Sequence, residues 1–251
     1  MKSILQFARL LYRVSRNLLI YLRFRGFTMI TPPTYIINLL VAERFRSVEG
    51  LIVECGVWRG GMMAGMATVL GRRRQYFLFD SFEGLPPAKA NDGDEALAWQ
   101  ADKHSANYHD NCKAEESYAQ AAMRRAGVPR FATVKGWFNE TLPKFAPETR
   151  IAILRLDGDW YESTMECLNA LYRHVRVGGV IIIDDYYTWA GCSRAVHDFL
   201  SRHELEDVVR QYFNGVCYIV KKKELREPAD RVTTAAVGAT QDRAAAASHN
   251  N

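Results

Sequence analysis

The stretch Leu51-Ile-Val-Glu-Cys-Gly-Val-Trp-Arg-Gly-Gly61 decides how the rest of the chain is read. Leu51-Ile52-Val53 is a short apolar run, the pattern of a buried strand. Glu54 ends it, Gly56, Gly60 and Gly61 follow, and Met62 to Leu70 has the Ala, Met and Leu content of a helix. A strand, a glycine turn and a helix form the crevice at the carboxyl end of a parallel sheet, where open α/β folds bind ligands. Glycine lets backbone approach a ligand, and the helix N-terminus offers free N–H groups to an anion. An ordinary βα turn has the same outline. Three glycines and one acid in so short a span favour a binding turn.

Outward from this stretch, strands and helices alternate. Gln75–Phe79 reads as a second strand ending in Asp80, Phe131–Val134 as a third, Ile151–Leu156 as a fourth and Val180–Ile183 as a fifth. Helical patterns cover 35–45, 113–126, the residues after Tyr161 and 193–200, and a last strand falls within 212–220. The alternation predicts a doubly wound, mostly parallel α/β sheet of the Rossmann-like kind. The chain has 251 residues and is 48% hydrophobic, enough for one domain with short extensions. Five cysteines without metal spacing fit a reduced, cytoplasmic protein.

Charge is unevenly placed. Residues 1–25 hold six basic and no acidic residues, against a net charge of +5, so the remainder is near −1 and nucleic acid is not an expected partner. The arm 1–27 is predicted to be an amphipathic helix, with Ile4, Leu5, Ala8, Leu11, Tyr12, Ser15, Leu18, Leu19 and Leu22 on one face. Its charges interrupt it too often for a membrane span, and it lacks the pattern of a secretory signal. Two readings are open: a helix packed on the domain or on a second subunit, which is preferred, or an interfacial anchor on acidic lipid. Residues 28–221 form the expected domain, 87–112 a polar lid over the crevice, and 222–251 a disordered tail.

The candidate chemistry lies at strand ends. Asp80 is placed to accept hydrogen bonds from ribose hydroxyls, or else to cap a turn. Gly136 and Trp137 follow the third strand and suit the border of a flat heterocycle, although Trp137 serves equally well as core. Asp157 and Asp159 end strand four, and Asp184 and Asp185 end strand five. Were those strands adjacent, four carboxylates would crowd one edge, a set of hard oxygens suited to Mg²⁺, Ca²⁺ or Mn²⁺. Carboxylates beyond the metal ligands are candidates for a base, with His104 and His109 as second choices.

Five segments then carry a resemblance. Residues 53–61, 79–86 (Phe-Asp-Ser-Phe-Glu-Gly-Leu-Pro), 136–143, 156–164 (Leu-Asp-Gly-Asp-Trp-Tyr-Glu-Ser-Thr) and 178–186 together resemble the macrocin O-methyltransferase family, over roughly residues 28–220. The resemblance implies S-adenosylmethionine and a divalent metal, Mg²⁺ or Mn²⁺, used to methylate a sugar hydroxyl of a glycosylated natural product or glycolipid. It further implies that Glu54, Gly56 and Gly60 lie along the methionine part of the cofactor, Asp80 and Ser81 hold the ribose, and Gly136 and Trp137 border the adenine. Asp157, Asp184 and Asp185 would bind the metal, and Asp159 would be the general base. A small-molecule glycoside is the expected partner, and a homo-oligomer the expected assembly. The alternatives are a catechol-type O-methyltransferase, a nicotinamide oxidoreductase, and a non-catalytic membrane-associated protein on the same fold. Against the oxidoreductase, the glycine spacing is Gly56-x-x-x-Gly60-Gly61 rather than GxGxxG.

Overall fold

The computed structural model describes residues 2–213 and 215–225. In chain order its main elements are α1 (Lys2–Phe24), α2 (Pro32–Arg44), β1 (Leu51–Cys55), α3 (Gly61–Leu70), β2 (Tyr76–Asp80), α4 (Asp94–Ala101), α5 (Glu116–Ala126) and β3 (Phe131–Lys135). There follow α6 (Phe138–Thr141), β4 (Ile151–Leu156), α7 (Tyr161–Leu171), β5 (Val175–Ile183), α8 (Ala190–Arg202), β6 (Val209–Tyr212) and β7 (Val216–Val220). The strands make one sheet in the order β3-β2-β1-β4-β5-β7-β6. The first five run parallel, and β7 pairs antiparallel with both β5 and β6. The expected doubly wound sheet is therefore present, with β4 beside β5 as the acidic-edge reading requires.

Successive strand residues point to opposite faces. On β5, Val180 and Ile182 enter one apolar core, and Ile181 and Ile183 enter the other. The first core is roofed by α1, α2, α3 and α5, the second by α7 and α8. Helix α3 is buried on almost every side, which explains why its sequence has no polar face. Pro32 opens α2, where a missing N–H costs nothing.

The sequence reading needs three corrections. The last strand is two, β6 and β7, paired antiparallel. Strand β5 begins at Val175, so Gly178-Gly179 lies inside the strand rather than turning into it. The register between β4 and β5 shifts there, and Gly178 has φ +84°, so the glycines absorb an irregularity. Third, α5 begins at Glu116 rather than Lys113.

Helix α1 forms and packs on α2 and α3, but through the mixed side that carries Arg13, Arg16 and Asn17 together with Ile20, Tyr21 and Phe24. Arg13 Nε donates to Glu43 Oε2 at 2.8 Å, Arg16 pairs with the same carboxylate, and Asn17, Ile20 and Phe24 are buried. The apolar stripe faces solvent. Most of the expected tail, 226–251, lies outside the described residues. Its first residues hold to the domain: Lys222 N donates to Asp207 Oδ1 at 2.9 Å, and Leu225 packs against the second core.

Candidate active site

The strand order reverses between β1 and β4, and a cavity of about 470 Å³ opens at the carboxyl ends of these strands. That is where an α/β sheet gathers ligands. Glu54, Gly56, Asp80, Ser81, Trp137, Asp157, Asp159, Asp184 and Asp185 all line it. Gly60 and Gly136 are not among its lining residues.

The glycines of the first turn serve the chain's own packing. Gly56 has φ +84°, and a Cβ there would lie 1.7 Å from the carbonyl oxygen of Asp157. Gly56 thus lets β1 and β4 close on each other where both deliver acids to the cavity. Gly60 has φ +78°, caps α3, and would press a Cβ onto Ala119 of α5.

Asp80 is tied down by backbone. Its Oδ2 accepts from Val57 N (2.6 Å) and Trp58 N (2.8 Å), and its Oδ1 from Phe82 N (2.6 Å). Burial raises its pKa, opposed by these three amides. The carboxylate clamps the first turn to the end of β2 while lining the cavity. Ser81 is buried, and its hydroxyl donates to Gly84 O.

Glu54 is different. It is 1% exposed, its Oε1 accepts from Arg155 Nη1 at 2.8 Å, and its Oε2 has no partner. Burial raises its pKa to about 8, with Arg155 opposing. A buried acceptor without a donor is costly unless a ligand supplies one. A cationic amino group entering the cavity fits that need.

The acids of β4 and β5 converge as expected. Ligand oxygens of Asp157, Asp184 and Asp185 all lie within 4.8 Å of one another. Beneath them Arg155 is fully buried: Nη1 bonds Asp157 Oδ2 at 2.7 Å, and Nη2 lies 2.8 Å from Asp184 Oδ1. Asn38 Nδ2 also donates to Asp184 Oδ1, at 2.9 Å. Burial raises the pKa of Asp157 to about 6, despite Arg155, and raises that of Asp185 well above the carboxylate range, reinforced by Asp159 and Asp157. One guanidinium therefore does not neutralise the group. Three hard oxygens on a fixed frame with uncompensated charge fit a divalent cation of the Mg²⁺ type.

Asp159 stands beside this cluster and is not part of it. Its backbone is left-handed, φ 57°, an unfavourable setting held by its N–H donating to Asp185 Oδ2 (3.0 Å) and by Trp189 Nε1 donating to its Oδ1 (2.7 Å). Burial and the Asp157 charge raise its pKa to about 8. Trp189 itself packs edge-to-face on Trp160 and Trp99. His104 and His109, the second-choice bases, are exposed and do not line the cavity, although His109 lies against Trp58.

Several lining residues escaped the sequence reading. Phe27 to Thr31 and Thr34 form one wall, and Cys112, Glu162, Ser163 and Glu166 contribute elsewhere. Arg155 and Asn38 support the acids from below. The signal for Arg155 was present: a lone charge inside Ile151–Leu156 must find buried counter-charges. Of the expected lid at 87–112, only its last residue, Cys112, lines the cavity; its middle folds into α4 and packs around Trp160 and Trp189.

Comparison with known proteins identifies relatives of the chain. Residues 36–220 match the model of the family described as macrocin-O-methyltransferase (TylF). The chain is 36% identical over 183 residues to the 8-demethyl-8-(2,3-dimethoxy-alpha-L-rhamnosyl)-tetracenomycin-C 4'-O-methyltransferase of Streptomyces olivaceus, covering 70% of this chain and 67% of that one. It is 35% identical over 168 residues to the mycinamicin III 3''-O-methyltransferase of Micromonospora griseorubida, covering 64% and 65%. The match thus spans about two thirds of the length of these relatives. Among solved structures, the O-methyltransferase NovP superposes with a TM-score of 0.64 at 29% identity, over 78% of this chain and 83% of that one. A crystal structure of the calicheamicin methyltransferase CalS11 shares the fold, with a TM-score of 0.57 at 21% identity over 72% and 77%. With the family model matched over residues 36–220, most of the chain, and a relative 36% identical over 70% of it, the chain belongs to the macrocin-O-methyltransferase family.

Proposed function

We propose that this protein transfers a methyl group from S-adenosylmethionine to a sugar hydroxyl of a glycosylated small molecule, with a divalent cation at Asp157, Asp184 and Asp185. The observation that carries this reading is the pairing, in one cavity, of the three-carboxylate cluster with Glu54 Oε2, a buried acceptor without a donor. The relatives named above methylate sugar-bearing compounds by their names, which supports a glycoside as the acceptor.

When bound, S-adenosylmethionine supplies an electrophilic methyl group and the cation makes a coordinated hydroxyl more acidic. The chain does the rest. Glu54 receives the amino group of the methionine part, Ser81 and Asp80 border the ribose side, and Trp137, 37% exposed at the rim, offers a flat face to the adenine. Arg155 and Asn38 hold Asp157 and Asp184 in place. Asp159, oriented by Trp189, takes the proton from the acceptor hydroxyl. Its raised pKa, about 8, makes it a stronger base than an ordinary aspartate while leaving it mostly protonated at neutral pH.

The test is methyl transfer from labelled S-adenosylmethionine to a panel of rhamnosides and other deoxyglycosides, with and without chelator. Methylation of the sugar that requires Mg²⁺ or Mn²⁺ is the expected result. Transfer to catechols but to no glycoside would overturn the acceptor, and full turnover in EDTA would overturn the cation.

A further inference from the structure

Helix α1 is turned the wrong way round for a soluble amphipathic helix. Its inward side presents Arg13, Asn17, Ile20 and Phe24 to the domain. Its outward side leaves Ile4, Leu5, Phe7, Leu11, Tyr12 and Leu19 each more than half exposed. No other helix of the described residues leaves so long an apolar row in solvent. A face of this kind needs a cover.

Two features on the helix say which cover. The first is width. At about 100° per residue, the exposed apolar side chains fan over an arc of about 160°, from Phe7 at one edge to Leu5 at the other. A second copy's helix would seat only a narrow seam of such an arc, whereas a planar apolar surface takes its whole width. The second is charge. No acidic residue precedes Glu43, and Glu43 is already held by Arg13 and Arg16. Arg9 stands exposed just beyond the edge that Leu5 marks, Arg23 lies on that edge with its guanidinium donating to Arg125 O, and Arg25 follows just beyond the helix. A second copy would bring the same positive charges to the contact. An anionic lipid headgroup layer brings the opposite ones. No helix of the described residues is long and apolar enough to cross a membrane, so a helix lying in the surface is the geometry that remains for a lipid contact.

We infer that α1 is an interfacial helix that seats this protein on an anionic lipid surface, its apolar face in the headgroup–acyl boundary and its mixed face on the domain. The chain leaving α1 continues as Phe27 to Thr31, one wall of the cavity, so whatever holds the helix also steadies that wall.

The experiment is flotation of the full chain with vesicles of phosphatidylcholine, with and without phosphatidylglycerol. Binding to the anionic vesicles, reduced by salt and at least tenfold weaker on neutral ones, is expected. The double variant Leu11→Glu/Leu18→Glu should lose vesicle binding at least tenfold with an unchanged melting temperature and unchanged affinity for S-adenosylhomocysteine, because neither side chain holds the domain together. Arg9→Gln alone should weaken binding about fivefold, the effect of one basic residue at such a surface. Absence of binding to anionic vesicles at low salt overturns the inference. So does equal binding to both vesicle types, or a dimer in analytical ultracentrifugation that the double glutamate variant dissociates, which would give the face to a second copy.

Discussion

The two sides of the cavity treat buried carboxylates in opposite ways. On the β2 side, Asp80 is enclosed, and three backbone N–H groups meet its two oxygens. On the β4–β5 side, Asp157 and Asp184 share the Arg155 guanidinium with Glu54, Asp185 joins their cluster, Asp159 stands beside it, and Glu54 keeps an oxygen without a donor. The first arrangement stabilises the fold by itself. The second leaves like charges crowded together and an acceptor without a donor, which costs stability unless something else supplies the balance. A carboxylate's burial therefore says little about its role. The number of donors already committed to it says much more.

This contrast can be broken by experiment. The largest effect should come from chelation: EDTA should abolish turnover, and Mg²⁺ or Mn²⁺ should restore it, read by labelled methyl transfer. Substitution of Asp159 by Asn keeps an oxygen for Trp189 Nε1 but removes the base. Turnover should fall by about 10²–10⁴-fold, with the cation concentration for half-activity nearly unchanged. A variant with full turnover would mean that another group takes the proton.

Smaller but opposite in kind is Asp80→Ala. It strips two charged hydrogen bonds from the turn at Val57 and Trp58 and a third from Phe82, so unfolding free energy should fall by about 3 kcal/mol, and S-adenosylhomocysteine binding by about 1.5–3 kcal/mol. Denaturant titration and calorimetry measure the two losses. Wild-type stability in that variant would show that the clamp does not hold the turn.

The last effect is a pH dependence. In the folded chain Glu54 titrates near 8, whereas unfolded it titrates in the usual carboxylate range. Below the unfolded value both states hold the proton and nothing is lost. Between the two values the unfolded state releases it and the folded state keeps it, so stability drains away as pH rises toward 8. Glu54→Gln removes this drain. Its melting temperature relative to wild type, both without cofactor, should climb by roughly ten degrees between about pH 5 and 8. A constant difference across that range would mean that Arg155 already holds Glu54 ionised.

Local pattern made much of the molecule legible. The apolar runs at 51–55, 151–156 and 180–183 have no stable place except the interior of a parallel sheet, and the acids that end them can only emerge at its carboxyl edge. That reasoning reached Glu54, Asp80 and the two Asp pairs. It missed Arg155 and Asn38, because pairing across 101 and 146 residues is not a sequence pattern. It also missed the wall at Phe27–Thr31, because the position of a connecting segment depends on where α1 docks.

Sequence alone determined the alternation of strands and helices, the apolar stripe on α1 and the residue types at the strand ends, since these follow from periodicity and from what can be buried. Tertiary structure decided which of them meet. It set Asp80 among backbone donors and left Glu54 Oε2 without one. It separated Asp159 from the three-carboxylate cluster by a left-handed turn held to Asp185 and Trp189. And it turned α1 so that Glu43, a half-buried acid on α2, drew Arg13 and Arg16 inward and left the leucines in solvent. The physical reason is the same in each case: an apolar residue gains from burial almost anywhere, but a buried charge gains only from a particular partner at a particular distance.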